Sequence, residues 1–346
     1  MNISVIIPTY NRKNFLKSCL QSLFRQSYPK GQYEIIVVDD GSTDGAREMV
    51  QKLKFKNLRY YYQKNQGPAA ARNLGIKHAQ GKIIAFTDDD CIVDQDWLRS
   101  LVEKLIRDKK IVGAGGRILA WKPKNLIEKY AEVFLFGSKG DTIKGKFQPP
   151  FLVTANCAYY AKTIKKIGLF DSSSRLLEED LDLSWRLNFL GYQFAYAPSA
   201  IVYHRMPQTL KSLLAKYFLY GRGKTAAVYK HQNRLENKYY CSIKIKDFII
   251  DDFIKWPFLL IKWPKKIAAG YQELPPRYKE KKHFYFLIFF LEKITYRFYR
   301  LGMFYQALKM RGKMKRSPII NTENSIISWL IKAKNFLLGL TNIERN

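Results

Sequence analysis

With 346 residues, 47% of them hydrophobic, the chain has the apolar content for a real core and room for one large domain with an appendage, or for two domains. Sixty basic residues against 29 acidic ones leave a net charge of +31, which points to a polyanionic partner, either nucleic acid or an anionic membrane face. Cys19, Cys91, Cys157 and Cys241 are too scattered for a zinc knuckle or a disulfide framework and suit a reducing compartment, and the N-terminus enters a strand-like run with no basic leader, unlike a signal peptide.

Ile3-Ser4-Val5-Ile6-Ile7 reads as a buried strand closed by Pro8, which cannot continue a ladder. Asn11 is placed to cap a helix with Phe15, Leu16, Cys19, Leu20, Leu23 and Phe24 at helical spacing, broken at Tyr28-Pro29-Lys30-Gly31. A second strand, Glu34 to Val38, stops at Asp39-Asp40-Gly41-Ser42, and Thr43 or Asp44 starts the next helix. Short apolar strands alternating with helices imply parallel pairing and right-handed crossovers, an α/β fold. Gly67-Pro68-Ala69-Ala70-Ala71-Arg72-Asn73 reads as a turn entering a helix whose small residues let it approach a ligand or a sheet. Ile83-Ile84-Ala85-Phe86 is a further buried strand, followed by Thr87 and the triplet Asp88-Asp89-Asp90. Three adjacent carboxylates repel one another, and at a strand end facing a crevice a hard divalent cation held through oxygen ligands is the candidate that would offset this, against the plain alternative of a solvated acidic turn. No G-x-x-x-x-G-K-[ST] loop is present, which argues against a P-loop ATPase.

Pro8-Thr9-Tyr10-Asn11-Arg12, Val37 to Asp44, Gly67 to Asn73 and Phe86 to Asp90 together resemble family 2 glycosyltransferases in order and spacing. The resemblance covers residues 3 to about 205 and implies a GT-A fold: a Rossmann-like, mostly parallel sheet flanked by helices, with a nucleotide-sugar lying across the strand ends. It implies a binding half over 1–96 and an acceptor or catalytic half over 97–205. Pro8, Thr9, Tyr10 and Arg12 are implied beside the nucleotide, and Asp40 and Arg72 near the uracil of a UDP-sugar. Asp88 and Asp89 are implied on the nucleotide-sugar, and Asp88 and Asp90, the ends of the family's DxD motif, on Mg²⁺ or Mn²⁺. Such a cation neutralises the diphosphate leaving group.

Trp97 to about Lys109 is expected to be helical, and Ile111 to Ile118 a glycine-interrupted strand. Residues 121–150, with Gly137, Gly140, Gly145, Pro149 and Pro150, read as a long loop. Ile167-Gly168-Leu169-Phe170-Asp171 resembles the family's Gly-Phe-Asp turn, and Leu177-Glu178-Glu179-Asp180-Leu181-Asp182 its helix start. The resemblance makes Asp180, beside Glu179, the group that deprotonates the acceptor hydroxyl, as an inverting displacement requires. Clustering with Glu178, Glu179 and Asp182 is expected to raise some of these pKa values. The resemblance also places His204 near the diphosphate or metal, against the plain alternative of an ordinary partly buried histidine. Thr154 stands where many relatives have Gly and Tyr159-Tyr160 replaces a frequent basic pair, departures that bear on the acceptor; no Gln-x-x-Arg-Trp follows Asp180, so one sugar is expected per encounter.

From residue 206 the composition changes. Residues 1–205 hold 32 Lys/Arg and 20 Asp/Glu, net +12, and residues 206–346 hold 28 and 9, net +19. Leu210 to Phe218, Phe248-Ile249-Ile250, Trp256 to Pro264, Phe284 to Leu291 and Ile326 to Ile331 are apolar or aromatic and flanked by Lys and Arg. None reaches the roughly 18 uninterrupted apolar residues of a membrane span. Aromatic-plus-basic helices suit a membrane interface, so 206–346 is expected to be a helical, amphipathic, membrane-associating region and the chain peripheral or monotopic at the cytoplasmic face. The alternative is a helical subdomain with its own core. No nucleic-acid module is recognisable. The expected activity is transfer of one sugar from a nucleotide-sugar to a lipid-linked or cell-envelope glycan. Polyprenyl phosphate is an alternative acceptor, and a nucleotide-sugar-binding protein without catalysis is the alternative of another class.

Overall fold

The computed structural model describes residues 2–108, 110–135, 151–173, 177–231 and 282–310. The chain divides into two compact units, Met1–Met206 and Pro207–Asn346.

The first unit is built on one sheet. Its strands, in chain order, are β1 (Ile3–Thr9), β2 (Tyr33–Asp39), β3 (Leu58–Tyr62), β4 (Ile83–Phe86), β5 (Cys91–Val93), β6 (Ile111–Ala120), β7 (Cys157–Tyr160) and β8 (Gln193–His204). Their spatial order is β3-β2-β1-β4-β7-β6-β8-β5. The β3, β2, β1 and β4 strands are mutually parallel, β7 runs antiparallel between β4 and β6, β8 is parallel to β6, and β5 is antiparallel to β8. Ile3, Val5, Ile6, Ile7, Ile35, Ile36, Val37 and Val38 are fully buried, which is why β1 and β2 read as continuous apolar runs rather than alternating ones. The helices are α1 (Lys13–Leu23), α2 (Ala46–Gln51), α3 (Pro68–His78), α4 (Trp97–Leu105), α5 (Leu126–Phe134), α6 (Ala161–Lys166) and α7 (Glu179–Asn188). The expected α/β fold with a mostly parallel, helix-flanked sheet is what the first unit adopts.

Several local expectations are corrected. Pro8 does not close β1: the strand continues through Thr9, and Pro8 pairs with Val38. Ile6 and Thr9 accept hydrogen bonds from Thr87 and Asp40, so alternation turns the nitrogen of Pro8 toward β4, beyond the last β1–β4 pair, Ile6 with Phe86. The missing N–H therefore leaves no ladder bond unmade. Asn11 does not cap α1. It takes a left-handed backbone (φ 52°) and its side chain accepts from the Thr43 N–H, while Arg12 occupies the N-cap. Within 121–150 the chain forms α5, opened by an Asn125–Glu128 capping box. The glycines and prolines expected to make that stretch a loop, from Gly137 to Pro150, lie outside the described residues.

The small residues of α3 face the sheet. A Cβ on Gly75 would stand 2.5 Å from Cγ2 of the fully buried Ile6. Gly75→Val is therefore expected to destabilise the unit by about 1–3 kcal/mol through overpacking, read as a fall of roughly 2–4 °C in Tm per kcal/mol. An unchanged Tm would contradict this contact.

The arrangement delivers polar groups to one edge. The C-terminal ends of β1, β2 and β4 carry Thr9, Asp39-Asp40 and the acidic triplet, and Thr9 pairs with Asp39 in the register. Open α/β sheets bind ligands outside such carboxyl ends.

In the second unit, α8 (Leu210–Lys230) packs on α9 (Lys282–Lys309). Their backbones approach closely: Gly221 lies against the carbonyl of Tyr299 and Gly302 against that of Phe218, and the Thr225 hydroxyl donates to the Met303 carbonyl at 3.3 Å. Among the described residues no helix is long and apolar enough to cross a membrane. The runs at 248–250, 256–264 and 326–331 lie outside the described residues.

Candidate active site

The acidic triplet sits in the turn after β4, and its three carboxylates have three different environments. Asp89 is buried. It accepts the Thr9 hydroxyl at 2.8 Å and Nη1 of Arg12 at 3.3 Å. Burial pushes its pKa up to about 7, with Arg12 and Thr9 opposing and Asp90 and Asp88 reinforcing the rise. Asp89 thus ties the triplet to the end of β1, and its bond to Thr9 turns that hydroxyl inward. The same Arg12 nitrogen lies 3.1 Å from Oδ2 of Asp90, so one half-exposed guanidinium offsets the repulsion between neighbouring carboxylates. Pro8 and Tyr10 flank this bond, both half-buried.

Asp90 faces the other end of the sheet. Antiparallel pairing of β5 with β8 sets Cys91 opposite His204, and this brings Nε2 of His204 within 3.4 Å of Oδ1 of Asp90. Nδ1 of His204 lies 2.8 Å from the Arg205 carbonyl, which can only accept, so Nδ1 donates there and Nε2 is the nitrogen turned toward Asp90. Asp90, Cys91 and His204 bring one ligand atom each within 4.8 Å of one another. Burial, reinforced by Asp90 and Asp88, drives the Cys91 thiol well above its ordinary pKa. A carboxylate and an imidazole oriented by a backbone carbonyl make a donor set that fits a divalent cation, with His204 as the orienting nitrogen ligand. Of the residues expected on the metal, Asp90 and His204 are brought together.

Asp88 turns elsewhere. Its Oδ1 accepts Nη2 of Arg72 at 2.8 Å, and the other terminal nitrogen of Arg72 bonds Oε1 of Glu179. Arg72 is buried, with its guanidinium 5.9 Å from the Phe170 ring centre. Arg72, expected beside a uracil, bridges the triplet and the start of α7, its contact with Glu179 spanning 107 residues of sequence. Glu179 is engaged by this bridge. Asp40 is similarly occupied: Gln63 Nε2 and the Gln66 N–H bond its Oδ1 and the Gly67 N–H its Oδ2, so this buried carboxylate shapes the turn into α3. Asp39 does the same for the turn after β2, accepting from the N–H groups of Gly41 and Ser42 and from the Tyr60 hydroxyl.

At the start of α7, Glu178 holds the N-cap in a left-handed conformation (φ 84°), and Asp180 lies one residue inside the helix, half-buried. Oδ1 of Asp180 accepts its neighbour's Leu181 N–H at 2.8 Å and Oδ2 accepts the Thr154 N–H at 3.3 Å. Burial pushes the carboxyl up to about 7, Glu179 adds to the rise, and Arg72 and the two N–H groups oppose it. Asp182 takes no part: it is buried and pairs with Arg186 at 2.9 Å, one turn along the helix. The Thr154 N–H was not foreseeable by residue type, because every residue but proline offers the same donor.

The family model for glycosyl transferase family 2 matches residues 4–168. Over 228 residues the chain is 31% identical to glycosyltransferase AglE of Haloferax volcanii, a match covering 64% of this chain and 72% of that protein. The chain belongs to glycosyl transferase family 2. This glycosyltransferase is also 27% identical over 229 residues to poly-beta-1,6-N-acetyl-D-glucosamine synthase of Staphylococcus aureus, covering 64% of this chain and 54% of the synthase. Among solved structures it resembles the mannosyltransferase PcManGT of Pyrobaculum calidifontis, described in complex with GDP-Man and Mn²⁺. That likeness has a TM-score of 0.59 at 18% identity and covers 91% of the transferase and 88% of PcManGT, which supports the fold.

Proposed function

We propose that the transferase moves one sugar from a nucleotide-sugar to a hydroxyl acceptor with inversion, using Asp180 as general base. The observation that carries this reading is the Arg72 bridge, which joins Asp88 of the triplet to Glu179, the residue before Asp180. It links the triplet to the start of α7, where Asp180 stands. Asp180 has the properties of a base: a carboxylate with a pKa near neutrality, oriented by two backbone N–H groups. When ionised it accepts the acceptor hydroxyl's proton as oxygen attacks the anomeric carbon and the bond to the diphosphate breaks. Arg72 neutralises Glu179 and so keeps Asp180 ionisable at neutral pH.

Asp90 and His204 would hold a divalent cation, with Asp88 completing the family's paired carboxylates. Such a cation supplies charge neutralisation to the leaving diphosphate. Similarity to a mannosyltransferase described with GDP-Man and Mn²⁺ and to a poly-N-acetyl-D-glucosamine synthase supports a nucleotide-sugar donor, Mn²⁺ or Mg²⁺, and a glycan acceptor. A UDP-sugar is the donor proposed. The basic aromatic composition of 206–346 supports a lipid-linked or envelope acceptor reached at the cytoplasmic membrane face. A screen of UDP- and GDP-sugars with Mg²⁺, Mn²⁺ or chelator tests the reading. One donor turned over only with metal is expected; turnover indifferent to chelator would remove the metal from it.

A further inference from the structure

The turn from Leu152 to Asn156 touches both the base helix and the middle of the sheet. On the helix side, the Leu152 N–H donates to the Ser184 hydroxyl at 3.1 Å and the Thr154 N–H to Asp180 at 3.3 Å. On the sheet side, β8 bulges: Gly116 pairs with Ala197 but the next residue, Arg117, pairs with Ile201. Pro198, Ser199 and Ala200 are left over. The Asn156 side chain fills that gap. Its Nδ2 donates to the carbonyls of Arg117 and Ala200, both at 2.8 Å, and its Oδ1 accepts Nε1–H of Trp97 at 2.8 Å. Indole nitrogen can only donate and the carbonyls can only accept, so this amide has one satisfying orientation. Asn156 is buried, and its backbone closes the turn as well, donating to Val153 and accepting from Gly116. The fit is tight, since a Cβ on Gly116 would stand 2.0 Å from the Ala200 oxygen and 2.6 Å from Nδ2 of Asn156.

We propose that Asn156 is a positioning residue for the transfer reaction: through the 152–156 turn it holds the Thr154 N–H against Asp180 and fixes the direction in which that carboxylate faces the acceptor. This rests on the reading of Asp180 as the base. A carboxylate that must take a proton along one line needs its other lone pairs engaged, and the Leu181 and Thr154 N–H groups engage one on each oxygen. The Leu181 bond is local to α7 and survives any rearrangement of the sheet. The Thr154 bond depends on the turn, and the turn is pinned to three separate elements, α4, β6 and β8, by one amide. An Asn with a purely structural duty would stabilise the same bulge without affecting proton transfer.

The experiment compares Asn156→Ala with wild type in kcat, KM for the donor, the pH dependence of kcat and Tm. Expected are a fall in kcat on the order of 10–100-fold, an unchanged donor KM, and an acid limb displaced to higher pH, because losing an N–H bond disfavours the carboxylate. A variant that loses Tm but keeps the wild-type kcat and acid limb would overturn the proposal. Should Asn156→Ala fail to fold, Trp97→Phe removes one of the three bonds and keeps the bulk. A displaced acid limb there supports the proposal, and a wild-type profile overturns it. Asp180→Asn separates the two levels. If it stays active the base reading fails, whereas if it is inactive while the Asn156 and Trp97 variants behave as wild type, only the positioning role fails.

Discussion

Asp180→Asn is expected to lower the rate of transfer by about 10²–10⁴-fold, the usual contribution of a positioned base, while donor binding persists. The amide keeps the shape, and its one oxygen can still accept one of the Thr154 and Leu181 N–H groups, but it cannot take the acceptor's proton. Wild-type activity is expected to rise with pH through about 7, because burial and the Glu179 charge hold the carboxyl protonated below that point. The stability consequence has the opposite sign. A carboxyl whose folded-state pKa is raised favours the folded state below the ordinary aspartate range, and that advantage is lost as pH rises through about 7. The Asn variant carries no such titration, so at pH 8 it should melt no lower than wild type, and at pH 5 the comparison should tilt toward wild type. Calorimetric donor titration beside a transfer assay reads both halves. Equal turnover in the variant would remove Asp180 from the chemistry.

Asp90→Ala should be nearly as damaging, on the order of 10²–10⁴-fold if the cation stabilises the departing diphosphate by several kcal/mol. Its side chain meets both His204 and Arg12, so the substitution removes a ligand and leaves a guanidinium with one carboxylate fewer. His204→Ala should cost less, about 10–100-fold, as loss of a supporting ligand commonly does. Mn²⁺ titration of each variant by calorimetry checks the assignment apart from activity, with weaker binding expected in both. Unaltered Mn²⁺ affinity in Asp90→Ala would place the cation elsewhere.

Much of this was legible in the sequence, for identifiable reasons. The central strands announce themselves because both faces are buried, leaving unbroken runs such as Ile3 to Ile7 and Ile83 to Phe86. β3 was not foreseen: Leu58, Arg59, Tyr60 and Tyr61 are only half-buried at the sheet edge and Tyr62 is exposed, so no apolar run marks it. β5 is three residues long and takes its meaning from its partner, β8. The Asn125–Glu128 capping box stood in plain view, but the glycines and prolines that follow it drew the whole stretch into a loop assignment.

At the site, residue types were easier to read than their duties. Asp88, Asp90 and Asp180 were visible as chemistry, whereas the pairing of Arg72 with Glu179 is a long-range contact that no local pattern encodes. Asp89, the least explicable member of the triplet from sequence, is the one that folds inward onto Thr9 and Arg12. The contacts of Asp40 with the turn into α3 and of Arg72 with Asp88 likewise join residues distant in sequence. Backbone donors such as the Thr154 N–H have no sequence signature at all.

In the proposed mechanism a donor held at the triplet is attacked directly by a hydroxyl activated at Asp180. The most direct measurement is the anomeric configuration of the newly formed linkage, read by NMR from the product of whichever donor the screen identifies. From an α-linked nucleotide-sugar the account predicts a β-linked product, and an α-linked product would contradict it.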